Sequence, residues 1–443
     1  MQTGTGGAPR RELTLLDSTC LIVGIILGVG IFQMAPDVAR GVSSRWWLLA
    51  LWAAGGLLSL FGALGYAELA TAYPVEGGDY VYLSRAYGRW AGFLFGWVQL
   101  AIVRPGDIAV MAFAFARYAL SIHNPWGERG GATVESLYAI AATVVFTAIN
   151  VAGVRQGKWA QNLLTAAKTA GLVAVVGVAL VAPHRSHPLA PFEPIPLGLA
   201  TIFVLFTFGG WNEMAYVAAE VRNPKRNIVR ALVLGTIAVT ALYVATNAAF
   251  LHTLGHQGLA TSKTAAVDAV ATAFPHIGQR VIAVLICLSA LGAVNGLIFT
   301  GARISYAVGK DHRAFAALGR WHQRTGTPAR ALLLQGAIAV ALIAALGTYA
   351  NTILYTAAAV YAFQLATSLA VFVLRIKEPH TPRPYRATGY PVTTIVFCAA
   401  CACLIRSAVT YRPWIAAISG AVLLLGLPIY WISSRAGESA PKG

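Results

Sequence analysis

Apolar residues run along this chain in long blocks, and about twelve of them approach the 20 residues that a helix needs to cross a ~30 Å hydrocarbon layer. The blocks cover 14–39, 46–71, 91–120, 134–153, 159–182, 197–220, 229–251, 279–306, 329–346, 351–374, 391–409 and 414–433. Short stretches of Gly, Pro and charge separate them. The pattern predicts an all-α integral membrane protein, one polytopic domain over residues 1–443. The first block begins too far in, and is too broken, for a cleaved signal peptide. Gly28-Val29-Gly30 interrupts it, and Gly209-Gly210 interrupts the sixth, five blocks later. Glycine also lets membrane helices pack closely, the reading that suits Gly55-Gly56 and Gly292. A spaced pair of interruptions, however, is the mark of inverted-repeat transporters, whose broken helices meet the substrate at mid-membrane. On that analogy the first repeat covers about 14–182 and the second about 197–374, with two extra helices in about 391–433.

Composition agrees: 57% of residues are hydrophobic and 11% charged, against about 25% charged in soluble domains. The net charge of +17 would suit a nucleic-acid binder were it not so unevenly placed. With the N-terminus cytoplasmic, about 22 Lys and Arg fall on the inner side, among them Arg85, Arg89, Arg222, Lys225, Arg226, Arg303, Arg375 and Arg383. About 9 fall outside, including Arg40, Arg45, Arg117 and Arg280. That bias sets orientation, with both termini in the cytoplasm and no nucleic acid as partner. All five cysteines lie within apolar blocks, which argues against a disulfide framework. Cys398, Cys401 and Cys403 lack a nearby His or second Cys pair and read as packing residues, so no metal and no cofactor is expected.

Gly24-Ile25-Ile26-Leu27-Gly28-Val29-Gly30-Ile31-Phe32 is similar to the G-x-G-I-F segment of the amino acid–polyamine–organocation superfamily. Tyr66-Ala67-Glu68-Leu69 with Pro74 and Gly77-Gly78-Asp79-Tyr80 resembles its second-span exit, and Arg104-Pro105 resembles a third-span motif of its L-type amino acid transporter branch. The most specific stretch is Phe206-Thr207-Phe208-Gly209-Gly210-Trp211-Asn212, followed by Glu220 and Asn223-Pro224-Lys225-Arg226-Asn227. Arg303, Thr327-Pro328 and Gly426-Leu427-Pro428-Ile429-Tyr430 add weaker similarity. The likeness runs nearly end to end, and implies a five-plus-five fold with helices 1 and 6 broken.

An amino acid zwitterion entering a low-dielectric interior needs both charges met. N–H groups freed at Val29 and Gly30, at the start of a half-helix, suit the carboxylate, and Gly28 beside them is a further candidate substrate-binding residue. The resemblance assigns the ammonium to carbonyls freed at Ile26, Phe206, Thr207 and Gly209, and makes Phe206 a gate over the substrate. Val29 stands where relatives often carry Ser, which removes a hydroxyl contact but no backbone group. Lys168 matches a family lysine near the first and eighth spans, where sodium-coupled relatives hold a cation; snorkelling to the interface is its structural alternative. The eighth-span stretch Ala293-Val294-Asn295-Gly296-Leu297 offers no Ser/Thr pair for sodium.

Asp107 occupies a position where relatives usually place a small polar residue facing the substrate side chain. It is suited to a cationic side chain, to a proton, or to an i,i+3 pair with Arg104. Glu213 suits a proton or gating network, or a cap on a half-helix N-terminus. Glycine at position 209, where some relatives use an acid for cationic substrates, favours neutral ones. Residues 121–133 hold no cysteine, so no disulfide-linked heavy subunit is expected. The chain thus reads as a sodium-independent carrier or exchanger of L-α-amino acids in the cell membrane, with proton-coupled transport of cationic amino acids or polyamines as the alternative. No histidine sits inside a span beside a Ser, Cys or carboxylate constellation, which argues against an enzyme. No repeated filter or charged ring suggests a channel.

Overall fold

The computed structural model describes residues 13–75, 77–125, 131–182, 191–262, 264–274, 278–312, 315–346, 349–411 and 413–438. Of the basic residues counted above, Arg10, Arg11, Arg129, Arg185, Lys263, Arg313, Arg412 and Lys442 lie outside them. The first apolar block forms α1 (Leu15–Ile26) and α2 (Gly30–Arg40), bent by 46° across Leu27-Gly28-Val29. Thr14 and Asp17 start α1 with a reciprocal capping box. Helix α3 (Arg45–Ala72) follows, then the short α4 (Asp79–Tyr87), entered through Gly77 and Gly78, both at positive φ.

The third block holds α5 (Arg89–Val98) and α6 (Arg104–Ile122), joined by one wide π-helical turn at Gln99–Val103. Pro105 explains the turn. It has no N–H for the preceding ladder, and the chain widens there so that the Arg104 N–H reaches back to the carbonyl of Gln99. Beyond it come α7 (Gly131–Ala152), α8 (Val154–Val181) and α9 (Leu197–Thr207).

The sixth block, 197–220 with its expected interruption at Gly209-Gly210, is α-helical only to Thr207, and after the glycines the chain continues as 3-10 turns at Trp211–Ala215 and Ala218–Glu220 rather than as a second α-helical half. Gly210 at φ 107° turns the chain out of α geometry. Helix α10 (Pro224–Thr261) outruns its apolar block and kinks at Gly255, followed by α11 (Ala265–Ala271) and α12 (Gly278–Asp311). Last come α13 (Ala329–Leu346), α14 (Tyr349–Lys377), α15 (Val392–Tyr411) and α16 (Pro413–Glu438).

Among the described residues, 10 helices are long and apolar enough to cross a membrane, or up to 11 with the bent α1–α2 pair as one span. Among the described residues this measure reaches ten or eleven of the twelve blocks. The ninth becomes the shorter apolar helix Ala329–Ala345, whose 17 residues at about 1.5 Å each reach about 26 Å.

Packing brings the two broken spans to the centre. Helix α3 lies along α10, α6 along α12, and α1 against α10, α8 and α12, while α2 packs on α9. One end of the bundle is tied by buried ion pairs. Arg303 Nε meets Glu220 Oε1 at 2.5 Å, and Glu68 takes Arg375 at 2.6 Å, Arg383 at 3.5 Å and the Ala387 N–H at 2.6 Å. At the same end Leu13 pairs with Val221 as an isolated parallel bridge. Replacing Arg303 by Leu leaves Glu220 charged and unpaired, a loss of roughly 3–5 kcal/mol for a buried pair. The expected result is a clearly lower unfolding temperature in detergent, and an unchanged temperature would show that water or another cation reaches Glu220.

Candidate functional site

The two breaks touch. A side-chain carbon on Gly30 would lie 2.8 Å from Thr207 Oγ1 and 3.2 Å from Thr207 Cα, so only glycine lets the start of α2 abut the end of α9. Across the join Gly210 backs onto α1, where a side-chain carbon would sit 2.5 Å from Ile25 Cγ2.

Beside this junction lies a cavity with an empty volume of ≈ 890 Å³, counted to its open mouth. Its wall takes Ile25 from α1, Phe206, Gly209 and Gly210 from the sixth-span break, Met111 from α6 and Ala293 from α12. A polar side is made by Gln99, Arg104, Asp107, Asn212, Glu213 and Gln364.

The break in the first span leaves N–H groups open. Among the described residues, no backbone acceptor takes those of Val29, Gly30 and Ile31, at the positive end of α2. Val29 and Gly30 are buried, and Gly28 lies behind the Met111 thioether, 3.4 Å from where its side-chain carbon would be.

The carbonyls differ from expectation. Ile26 is fully engaged: its oxygen accepts the Gly28 N–H at 2.6 Å and the Tyr243 hydroxyl at 2.6 Å, which fills both lone pairs. The Tyr243 hydroxyl also reaches the Thr207 carbonyl at 3.2 Å, and the Thr207 hydroxyl is spent on Phe203. Ile26 thus braces the breaks rather than offering a free acceptor, while the Thr207 carbonyl, with the one contact from Tyr243, keeps a lone pair. Phe206 O accepts the Gly209 N–H at 2.9 Å and is also reached by the Phe208 N–H; no backbone donor reaches the Gly209 carbonyl among the described residues. Tyr243 itself escaped sequence reading. Its only signal was a phenol inside a membrane span, which needs a partner.

The charged residues are also rearranged. Arg104 does not spend its fork on Asp107: Nη2 meets Glu213 Oε1 at 2.7 Å and Nε meets Gln99 Oε1 at 3.0 Å. Its guanidinium lies 5.0 Å from the Tyr216 ring centre. Glu213 is therefore part of a buried ion pair between the third and sixth spans, not simply a helix cap. Asp107 lines the cavity one turn further along α6.

Lys168 is buried at the junction of α1, α8 and α12; its ammonium donates to the Gly24 carbonyl and lies against Gly292. Snorkelling to an interface is thereby set aside. Nearby, Ser289 Oγ donates to the Leu27 carbonyl at 3.0 Å, a hydroxyl that the stretch 293–297 did not reveal. Deeper in the wall, the buried Asp79 of α4 accepts from Tyr66, from Tyr216 at 2.7 Å and from Thr367 at 2.5 Å, joining α3, the sixth-span tail and α14.

The architecture and the paired breaks coincide with a family match that covers residues 13–426 and is described as amino acid permease. The chain belongs to the amino acid permease family. The similarity first drawn from the G-x-G-I-F and Phe206–Asn212 stretches is thus established for almost the whole chain. The permease is 31% identical over 396 residues to the b(0,+)-type amino acid transporter 1 of Mus musculus, covering 87% of this chain and 81% of the relative. To the large neutral amino acids transporter small subunit 2 of Homo sapiens it is 30% identical over 453 residues, 97% of this chain and 82% of the relative. These relatives are transporters, and the permease is not an enzyme.

Proposed function

We propose that the permease carries L-α-amino acids across the cell membrane by alternating access, without sodium, as a carrier or exchanger with both termini cytoplasmic. The observation that carries this reading is the meeting of two broken spans beside one cavity. The open N–H groups of Val29 and Gly30 suit the substrate carboxylate, and the carbonyls of Gly209 and Thr207 suit its ammonium. Phe206, in the cavity wall, closes over the bound molecule. The five-plus-five repeat gives the motion its parts, with the broken spans moving against the rest. Lys168 holds a fixed positive charge between the first and eighth spans, which makes a bound sodium ion unnecessary there. One relative is named a small subunit; with no cysteine in residues 121–133, the permease works without a disulfide-linked heavy subunit.

A second reading, proton-coupled transport of cationic amino acids or polyamines, draws on Asp107. Its carboxylate lines the cavity while the neighbouring Arg104 is held by Glu213. Purified protein in liposomes preloaded with a mixture of L-amino acids distinguishes the two. Radiolabelled neutral amino acids are expected to enter from sodium-free medium, with competition from neutral L-analogues and none from decarboxylated amines. Uptake that needs sodium would sink the leading reading. Inhibition confined to arginine and agmatine, steepened by an inward proton gradient, would establish the second.

A further inference from the structure

The ion pair at the polar end of the cavity is half finished. Arg104 and Glu213 are only 3% and 5% exposed, and a single contact of 2.7 Å joins them, through Nη2 and Oε1. Among the described contacts, Arg104 Nη1 and Glu213 Oε2 are buried without a hydrogen-bond partner. An unmet donor and an unmet acceptor in a low-dielectric wall are each costly, and both residues line the cavity. Neither is free to turn away. The Arg104 stem runs against Gly301 of α12, where a side-chain carbon would lie 2.9 Å from Cδ, and Nε is held by Gln99. Glu213 is fixed by the 3-10 turn that follows Gly210.

We infer that this pair selects substrates whose side chain ends in a carboxamide, such as glutamine and asparagine, with the amide oxygen accepting from Arg104 Nη1 and the amide nitrogen donating to Glu213 Oε2. The inference rests on the transport reading above and names the substrate class of the same cavity. Other side chains fit less well. An apolar one leaves both atoms unmet, and a carboxylate satisfies Arg104 but places like charge beside Glu213 and Asp107. A cationic one satisfies Glu213 but sets like charge beside Arg104 and leaves Nη1 open. A neutral group with one acceptor and one donor on adjacent atoms answers both. Asn212 and Gln364 extend the polar wall around it.

The test is the selectivity of purified protein in liposomes, with glutamine compared against methionine, norleucine, glutamate and arginine, molecules of similar length. Glutamine is expected to exceed each by at least about tenfold in kcat/KM, a modest part of what a site built to hydrogen-bond its substrate can reject. Replacing both partners by apolar residues of similar size, R104M with E213L, removes the pair without stranding either charge. That double variant is expected to lose the glutamine preference and to take methionine at least as well. Equal wild-type uptake of glutamine and methionine would overturn the inference while leaving the transport reading intact, as would a preference for arginine. Uptake of none of these L-amino acids would overturn both. The wild-type profile decides the matter even if the double variant fails to fold.

Discussion

Gly210→Val is expected to abolish amino acid uptake and to lower stability sharply. At φ 107° the backbone lies where a side chain is rarely tolerated, and a β-branched one least of all. Left-handed backbone alone costs roughly 1–2 kcal/mol. The added carbon would also sit 2.5 Å from Ile25 Cγ2 and 3.4 Å from the Ile26 nitrogen, so α1 must shift, and overpacking of this kind costs about 1–3 kcal/mol more. The strain falls where the two breaks support each other, so the displaced groups include the Ile26 carbonyl that Tyr243 holds. A matched control is Gly177→Ala on α8, where nothing lies within 4 Å of the new carbon. That change is expected to leave uptake at the wild-type level and to favour the helix slightly. Uptake by Gly210→Val at the control's rate would mean that the sixth-span break does not need its left-handed glycine.

The breaks themselves were legible, because glycine interrupting an otherwise apolar block is a local signal and because two of them stand five blocks apart. The chemistry around them was less so. Tyr243 clamps the Ile26 carbonyl from 217 positions away, and Thr367 meets Asp79 across 288. Pairings of that range depend on how the helices stack, which no local pattern encodes. The same limit left the partner of Arg104 open. Helical spacing offers Asp107 one turn on, but the π-helical turn ahead of Pro105 and the 3-10 geometry after Gly210 bring Glu213 to the guanidinium instead. The sixth block misled for a related reason. Hydropathy reports which residues avoid water, and Trp211 to Val221 are largely buried without being α-helical. Only the positive φ of Gly210 distinguishes the two cases, and hydropathy is blind to it.

Lys168→Met is expected to cut sodium-free uptake at least about tenfold while leaving the fold intact, the scale of losing one charge-assisted hydrogen bond of roughly 1.5–3 kcal/mol. The ammonium is buried between α1, α8 and α12, and its bond to the Gly24 carbonyl ties α8 to the half-helix just before the break. Methionine fills the same space with an unbranched chain and carries no charge to desolvate, so thermal stability in detergent is expected to hold or rise. A purely structural lysine would show the opposite split, with stability falling and activity following it. Sodium then separates two roles for the charge. If the ammonium stands in for a cation, external sodium restores part of the lost uptake in the variant and leaves the wild type unmoved. The Gly24 carbonyl that the ammonium vacates, that of Leu27 and the Ser289 hydroxyl beside it supply the oxygen ligands that such an ion requires. If the lysine merely fastens α8 to α1, sodium changes nothing, and uptake stays low in both media. Unchanged sodium-free uptake by the variant would remove Lys168 from the coupling machinery altogether, since a tether that can be cut without consequence does not transmit the movement of the first span.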